Sequence, residues 1–568
     1  VACLDACFEQ QQCKSVGLHD TELDLPRSCF LSTADVEEAR LYVEARRPSK
    51  GKAGQNQSEL EELDKEDIVE PGLPLPNSVV NGCETSFIAA NENREKGSPG
   101  SFASTGLMTL NCRHDRVLRM VNLTTAGEKQ YYAIALLTSL FKELPSWWKM
   151  GILYDIACVL HRSMSRWKIK PLLLPQIEWG VSVFHAFGHQ WACQCVYHPQ
   201  KRKGFGFSDG EGCERCWGAL KKLAPVLHVS GHHRRLFVLS TQVIHWDKST
   251  RNSQATWLRN HYIHWKRPRA RLDKCGVPVA TLESHWADQV KTQSKPLPSV
   301  TKNLTGSFVS KIVSMLVAHA NEEASCKKLC EEISKLSDHD DLSGDAKFDL
   351  TFQLQTWEAS IARLGGRIKR ACQQLAQKDR PTFTALEKAR KDKFLGLRLQ
   401  ARALKHRLRA RIRERCFESE RLEHSYFRST LDHKAHAQTA EALKRRLPGI
   451  KALAKRYNAI CSQLSDMKAR SRIHAAAVVP KPVEVDRLFE IGVDDEIWQD
   501  AGLDGDAEDT PPEWLSNEQV QEGIKAMLMY TRGKEEIKVL NHEIHVLLAW
   551  LSQEHSAIGH AITHCTGR

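Results

Sequence analysis

At 568 residues, 41% of them hydrophobic and 26% charged, the chain is long enough for roughly three or four domains and has the composition of folded protein. Its longest apolar stretches, such as YYAIALLTSLF, fall short of the about 18 residues a membrane-crossing helix needs, which excludes a transmembrane span. Lys and Arg number 81 against 69 Asp and Glu, a net charge of +12, so the distribution of charge says more than its sum.

The opening VACLDACF reads as a strand. It lacks a starting Met and a basic-then-apolar leader, so the chain is expected to be a fragment, and secretion is unsupported. The 18 cysteines, spread from Cys3 to Cys565, form no small disulfide framework and point to a reducing compartment, with thiols in cores or metal sites. ADVEEARLYVEARR reads as a helix. From Pro48 to Asn81 the sequence is polar and rich in Pro and Gly, a surface insertion or disordered loop, with order resuming at Cys83. Gly106–Leu123 is expected to be extended, and TTAGEKQYYAIALLTSLFKEL to form a helix. KMGILYDIAC is a buried strand ending in an acid, and VSVFHAFGH is a strand or a strand running into a helix. The basic, Gly-rich KRKGFGFSDGEG lacks the Lys-Ser/Thr of a phosphate loop and leads into a helix, CERCWGALKKL.

Beyond about residue 307 the sequence is mostly helical. Phe394, Leu397, Ala401, Leu404, Leu408 and Ile412 alternate steps of three and four, a coiled-coil-like seam. Around it stand Arg398, Arg402, Lys405, Arg407, Arg409, Arg411, Arg413 and Arg415, with Glu414 the single acid among them. Residues 494–509 are the reverse, with eight acids and no Lys or Arg: a disordered acidic loop or a partner for the basic helix. The last stretch sets Ile524, Leu528, Ile537, Leu540, Ile544, Leu547 and Leu551 at near-helical spacing.

Three acids sit where burial would be expensive without a cation. Asp5 follows the strand-like VACL, Asp155 ends the apolar run MGILY, and Glu214 lies in the first turn of a helix. If they converge, three carboxylates can hold divalent ions, one activating water or a 3′-hydroxyl and the other stabilising the leaving oxygen of a phosphodiester. Spacing alone does not bring them together.

GILYDIACVLHR, FHAFGHQWACQCVYHP, GFGFSDGEGCERCWGALKKL and GHHRRLFVLSTQVIHWDK, in this order, resemble the Kyakuja-Dileera-Zisupton transposases. LDACF, CETSFIAA, GLMTLNCRH, GEKQYY and the terminal VQEGIKAMLMYTRGKEEIKVLNHE also match in order, so the likeness runs to about residue 555. That family consists of cut-and-paste DNA transposases with a ribonuclease-H-like core. The resemblance implies an α/β mixed-sheet catalytic core over residues 1–250. Helical regions follow at 251–380, 381–475 and 476–568, the last carrying the acidic stretch. It also implies a catalytic and metal-binding triad on Asp5, Asp155 and Glu214 or Glu211. Glu214 is favoured because it precedes Trp217 by three residues, as in several other transposase families. Mg²⁺ or Mn²⁺ (two ions), DNA as transposon end and target, a homo-oligomer and a nuclear location are implied as well. A scaffold that keeps the fold without activity, and a nuclease that never joins strands, are the rival readings.

His185, His189 and Cys193 are spaced by four and on a helix would share one face, either as buried histidines or as zinc ligands. Cys83, Cys112 and His114 form a second possible zinc set. Cys213 and Cys216 read as helix-packing residues. Of the basic helix, Arg402, Arg409 and Arg413 are the candidate DNA-facing residues, against a coiled coil with acidic partners.

Overall fold

Successive residues of the first strand face different layers of the molecule, and this sets up the whole N-terminal half. Strand β1 (Ala2–Cys7) is central in a five-stranded sheet; β2 (Gln12–Cys13) and β3 (Phe102–Ser104) form a separate two-stranded ribbon. The main sheet is completed by β4 (Gly106–Cys112), β5 (Val117–Leu123), β6 (Met150–Tyr154) and β7 (Ile177–Gly180), in the order β5-β4-β1-β6-β7. β4 runs antiparallel to both of its neighbours, β5 and β1, whereas β6 and β7 lie parallel to β1. Because side chains alternate with period two, Ala2, Leu4, Met108, Leu110, Ile152 and Tyr154 enter one core. Cys3, Leu107 and Leu153 enter another, on the opposite face.

This computed structural model describes residues 1–14, 20–25, 28–47, 66–91, 101–264, 267–337, 344–424, 430–470, 477–489, 495–498 and 512–565. The first core is covered by α1 (Thr33–Arg46), α2 (Asn77–Asn91), α3 (Gln130–Glu143), α4 (Ala157–Arg166) and α5 (Trp191–Tyr197). The run YYAIALL of α3 is buried throughout, because this helix is covered on all sides, between β4 and β5 of the sheet and α1. Ser32 starts α1, its Oγ accepting the Asp35 N–H at 3.1 Å. The second core is closed by α6 (Gly212–Leu220) and by Leu227, Leu239 and Val243 from further helices.

Two expectations shift. α2 begins at Asn77, inside the stretch read as insertion, because Asp67 accepts from both the Ser78 N–H and its hydroxyl at 2.9 and 2.7 Å and organises that helix start. The last strand is IEWG, and VSVFHAFGH is an irregular exit followed by a 3₁₀ turn at Phe184–Gly188. A four-residue edge strand is too short to show periodicity.

Helices dominate thereafter, with α7 to α12 between Ala224 and Thr305. They are followed by α13 (Ser307–Ser337), α14 (Gly344–Lys378), α15 (Arg380–Lys391), α16 (Lys393–His424), α17 (Thr430–Ala469), α18 (Glu513–Ser516) and α19 (Glu518–Cys565). The expected seam of α16 is buried from Phe394 to Ile412 against Ile450, Leu453, Ala454, Tyr457, Ile460, Cys461 and Leu464 of α17. The stripe of α19 divides: Ile524, Leu528 and Leu540 are buried, while Leu551 is exposed. Near its middle, Glu536, wholly buried, pairs with Arg113 at 2.5 Å and accepts from His261 and from the Phe207 N–H, both at 2.9 Å. Among the described residues, no helix is long and apolar enough to cross a membrane.

Candidate active site

Leu4 and Tyr154 stand opposite each other in the parallel β1–β6 pair. Asp5 and Asp155 are the next residues on each strand, so they leave the sheet side by side. By the same period-two rule, Asp5 shares a face with Cys3, the face covered by α6. Asp5 is still within β1, opposite Thr109 of β4, and is 9% exposed. Asp155 lies just beyond β6, ahead of α4, with a side chain 17% exposed.

The loop before α6 is built to bring its acids to this point. Gly210 has φ +84°, and a Cβ there would meet Ser182 Cα and Oγ at 2.9 Å, so only glycine lets the two segments approach. The Val183 N–H donates to the Asp209 carbonyl at 2.8 Å. Arg215 clamps the helix start, reaching Asp115 at 2.6 and 2.8 Å and Asp209 at 2.8 Å. Glu211 is the residue before α6, and its Oε1 accepts the Phe184 N–H at 2.9 Å. Glu214 is in the first turn of α6, on the same side of the helix as Trp217 three residues on. The Trp217 indole N–H donates to Asp5 Oδ2 at 2.7 Å, which ties α6 to the first aspartate.

The electrostatics are those of several carboxylates sharing a poorly solvated space. Burial, then the charges of Asp5, Glu211, Glu128 and Glu214, hold the Asp155 carboxyl well above the usual range. Burial, reinforced by Asp209 and Asp5, pushes Glu211 up to about 7, against the pull of the Phe184 N–H. Of nearby groups that can be cationic, His185 places Nδ1 3.1 Å from Asp155 Oδ1. Such an arrangement is suited to binding hard divalent cations, whose charge relieves the mutual repulsion.

Two neighbours of the acids escape a reading of spacing. Glu128, before α3, accepts the Tyr154 hydroxyl at 2.5 Å and so joins the acids from an unexpected direction. His185 and His189 do not share a helical face, because the chain breaks between the 3₁₀ turn and α5. The break sends His185 to Asp155 and His189 to Cys158 and Cys193.

Cys83, Cys158, His189 and Cys193 form a buried group whose ligand atoms all lie within 4.8 Å of one another, an arrangement able to hold a metal ion. This corrects the grouping of Cys83 with Cys112 and His114. Those two stay at the end of β4, 3.9 Å apart, where His114 also contacts Glu543 at 3.4 Å. Cys213 and Cys216 are core residues, with Cys213 Sγ 3.6 Å from Cys3 Sγ.

The three arginines singled out on α16 do not form one solvent face. Arg409 is buried and donates to the Ile497 carbonyl; Arg413 reaches Ser86 Oγ at 3.0 Å and lies 5.8 Å from the Trp498 ring. Arg402 is half-buried, and the exposed arginines on this stretch are Arg407 and Arg411, the latter paired with Glu414 at 2.8 Å. Of the acidic 494–509 stretch, residues 495–498 are described; they lie on α16 through Ile497 and Trp498, and the other acids fall outside the described residues.

Residues 1–247 match the family model described as Kyakuja-Dileera-Zisupton transposase. The matched span takes in the whole sheet and α1 to α6; the likeness noted near the chain's end lies beyond it. No curated protein and no solved structure matches the chain.

Proposed function

Because residues 1–247 belong to the Kyakuja-Dileera-Zisupton transposase family, we propose that this chain is a DNA transposase that cuts and joins phosphodiester bonds with divalent metal ions. The observation that carries this reading is the position of Asp5 and Asp155 next to the paired Leu4 and Tyr154 on β1 and β6, with Asp5 tied to α6 through Trp217. The sheet order, with three antiparallel strands followed by two parallel ones, supports a ribonuclease-H-like core. In this reading Asp5, Asp155 and Glu214 hold Mg²⁺ or Mn²⁺. The donor set fits: hard carboxylate oxygens crowd one another, and Asp155 in particular resists ionising without a cation. When bound, such ions supply an activated hydroxyl and stabilise the leaving oxygen.

The chain's own residues do the positioning. Trp217 orients Asp5 and Arg215 fixes the start of α6; in this reading Glu214, three residues before Trp217, is the third acid, while Glu211 accepts the Phe184 N–H through Oε1. DNA is the substrate, and two-ended transposition calls for at least two chains working in the nucleus. Asp155→Asn should abolish strand cleavage and joining on a plasmid target while DNA retention in gel shifts stays equal or rises, since one repelling charge is gone. Glu214→Gln should lose more cleavage than Glu211→Gln. Undiminished cleavage by Asp155→Asn would remove this site from the chemistry.

A further inference from the structure

We propose that Cys83, Cys158, His189 and Cys193 bind one structural Zn²⁺, and that this ion steadies Asp155 through the ring of His189. The four come from three helices and a break: Cys83 from α2, Cys158 from the first turn of α4, His189 from the residue after the 3₁₀ turn, and Cys193 from α5. Their relative exposures are 0%, 1%, 2% and 0%, so the site is closed to solvent. Closed four-ligand sites of three thiolates and one imidazole are structural zinc sites, whereas catalytic ones keep a position open.

The histidine tautomer is set by its surroundings. Nε2 lies 2.7 Å from the Asp155 backbone carbonyl, which can only accept, so Nε2 carries the proton. Nδ1 is then an unprotonated lone pair, 3.4 Å from both Cys158 Sγ and Cys193 Sγ. A tetrahedral ion with bonds of about 2.3 Å to sulfur and about 2.0 Å to nitrogen needs ligand–ligand edges of roughly 3.5–3.8 Å, close to these separations. The Gln190 N–H donates to Cys83 Sγ at 3.3 Å, as expected for a thiolate held in an outer shell of donors. Phe87 packs on the His189 ring at 4.9 Å. Binding releases three thiol protons to solvent and leaves three Zn–S bonds and one Zn–N bond.

His189 thereby joins the two sites. One nitrogen faces the cysteines, and the other grips the backbone of the residue proposed to hold the catalytic metal. His189 is a positioning residue, since it touches Asp155 through the main chain.

The test uses the full chain, expressed with zinc and handled without chelators. Release by a thiol-specific mercurial should yield about one zinc per chain, as one closed four-ligand site requires. Replacement by Co²⁺ should give a tetrahedral d–d spectrum with thiolate-to-cobalt charge transfer. Cys213→Ser, in a different core, should keep the metal, and Cys83→Ser should lose it. Zinc far below one per chain, absence of the cobalt charge-transfer band, or a disulfide among the three cysteines in freshly purified protein would overturn the proposal, and none of these needs a mutant to fold. His189→Cys keeps four ligands but removes the donor to Asp155. It should retain zinc while binding Mn²⁺ at the carboxylates about tenfold or more weakly by electron paramagnetic resonance. Unchanged Mn²⁺ affinity would overturn the link to Asp155. Only this last arm rests on the transposase reading, whose own failure would show as parent protein that holds zinc but no Mn²⁺.

Discussion

Changing Glu211 to Gln removes a charge from the acid cluster while keeping a carbonyl oxygen for the Phe184 N–H. The folded protein holds Glu211 at about 7 against an ordinary 4.5, first by burial and then by the charges of Asp209 and Asp5. A carboxyl raised in the folded state opposes folding once it ionises. The opposition is absent below about pH 4.5, grows as pH rises, and is complete above about pH 7. At about 1.36 kcal/mol per pH unit, the gap between 4.5 and about 7 amounts to about 3 kcal/mol. Glu211→Gln should therefore stabilise the metal-free protein by about that much at about pH 8 and by almost nothing at about pH 4.5. Urea unfolding followed by tryptophan fluorescence reads the difference, since Trp179 and Trp217 lie in the affected cores. Saturating Mn²⁺ should shrink the gain, because the cation relieves the same repulsion in the parent. A gain equal at both pH values, or none at about pH 8, would refute the view that Glu211 is ionised among like charges.

Two further outcomes concern parts of the molecule away from the acids. Glu536→Ala leaves Arg113, with 6% of its side chain exposed, only the longer contact to Glu543 at 3.5 Å, and should cost up to about 3 kcal/mol locally. Hydrogen exchange should then speed at the Phe207 amide and along the middle of α19, while α3 stays protected; unchanged exchange there would mean the pair is dispensable. On α16, Arg407→Gln with Arg411→Gln should make the slope of log DNA affinity against log salt shallower by up to about two. Arg409→Gln should leave that slope alone and lower stability instead, because its guanidinium serves the Ile497 carbonyl. The opposite pattern would mean that α16 turns its buried arginine to DNA.

The parts of the site legible in the sequence are those where an acid interrupts an apolar run. VACLD and MGILYD each read as a strand that ends in a carboxylate, and strand pairing then places the two together. The seam of α16 was legible for the same kind of reason, since 3–4 spacing states which face is buried. What that spacing cannot state is what covers the other face. A segment read as acidic lies on α16 through its apolar Ile497 and Trp498, and so Arg409 is buried although its neighbours are charged. The cysteine–histidine cluster was hidden because its members belong to separate elements. Uniform spacing of His185, His189 and Cys193 implies one helix, but the backbone turns between them and gives His189 a partner, Cys158, that only the β6–α4 turn brings near. Glu128 is likewise reached through the Tyr154 hydroxyl, a side chain whose apolar neighbours give no sign of it.

The clasp of Glu536 on Arg113 and the Phe207 amide has a consequence for the order in which the molecule can be completed. Glu536 follows Phe207 by 329 residues, which at about 5–20 residues per second is roughly 15–65 s of synthesis. Throughout that interval the sheet can form, since β1 to β7 are already made, yet the segment Gly204–Phe207 has no anchor on α19 and Arg113 has no counter-charge. That segment leads straight into the Gly210 turn and the acids of α6. The nascent chain thus holds the aspartates and the start of α6 in place early, through Trp217 and Arg215, but the Gly204–Phe207 segment ahead of them only loosely. That segment is tied down by a helix translated long afterwards, so messages broken off before Glu536 should yield a folded core that is slack along the approach to its acids.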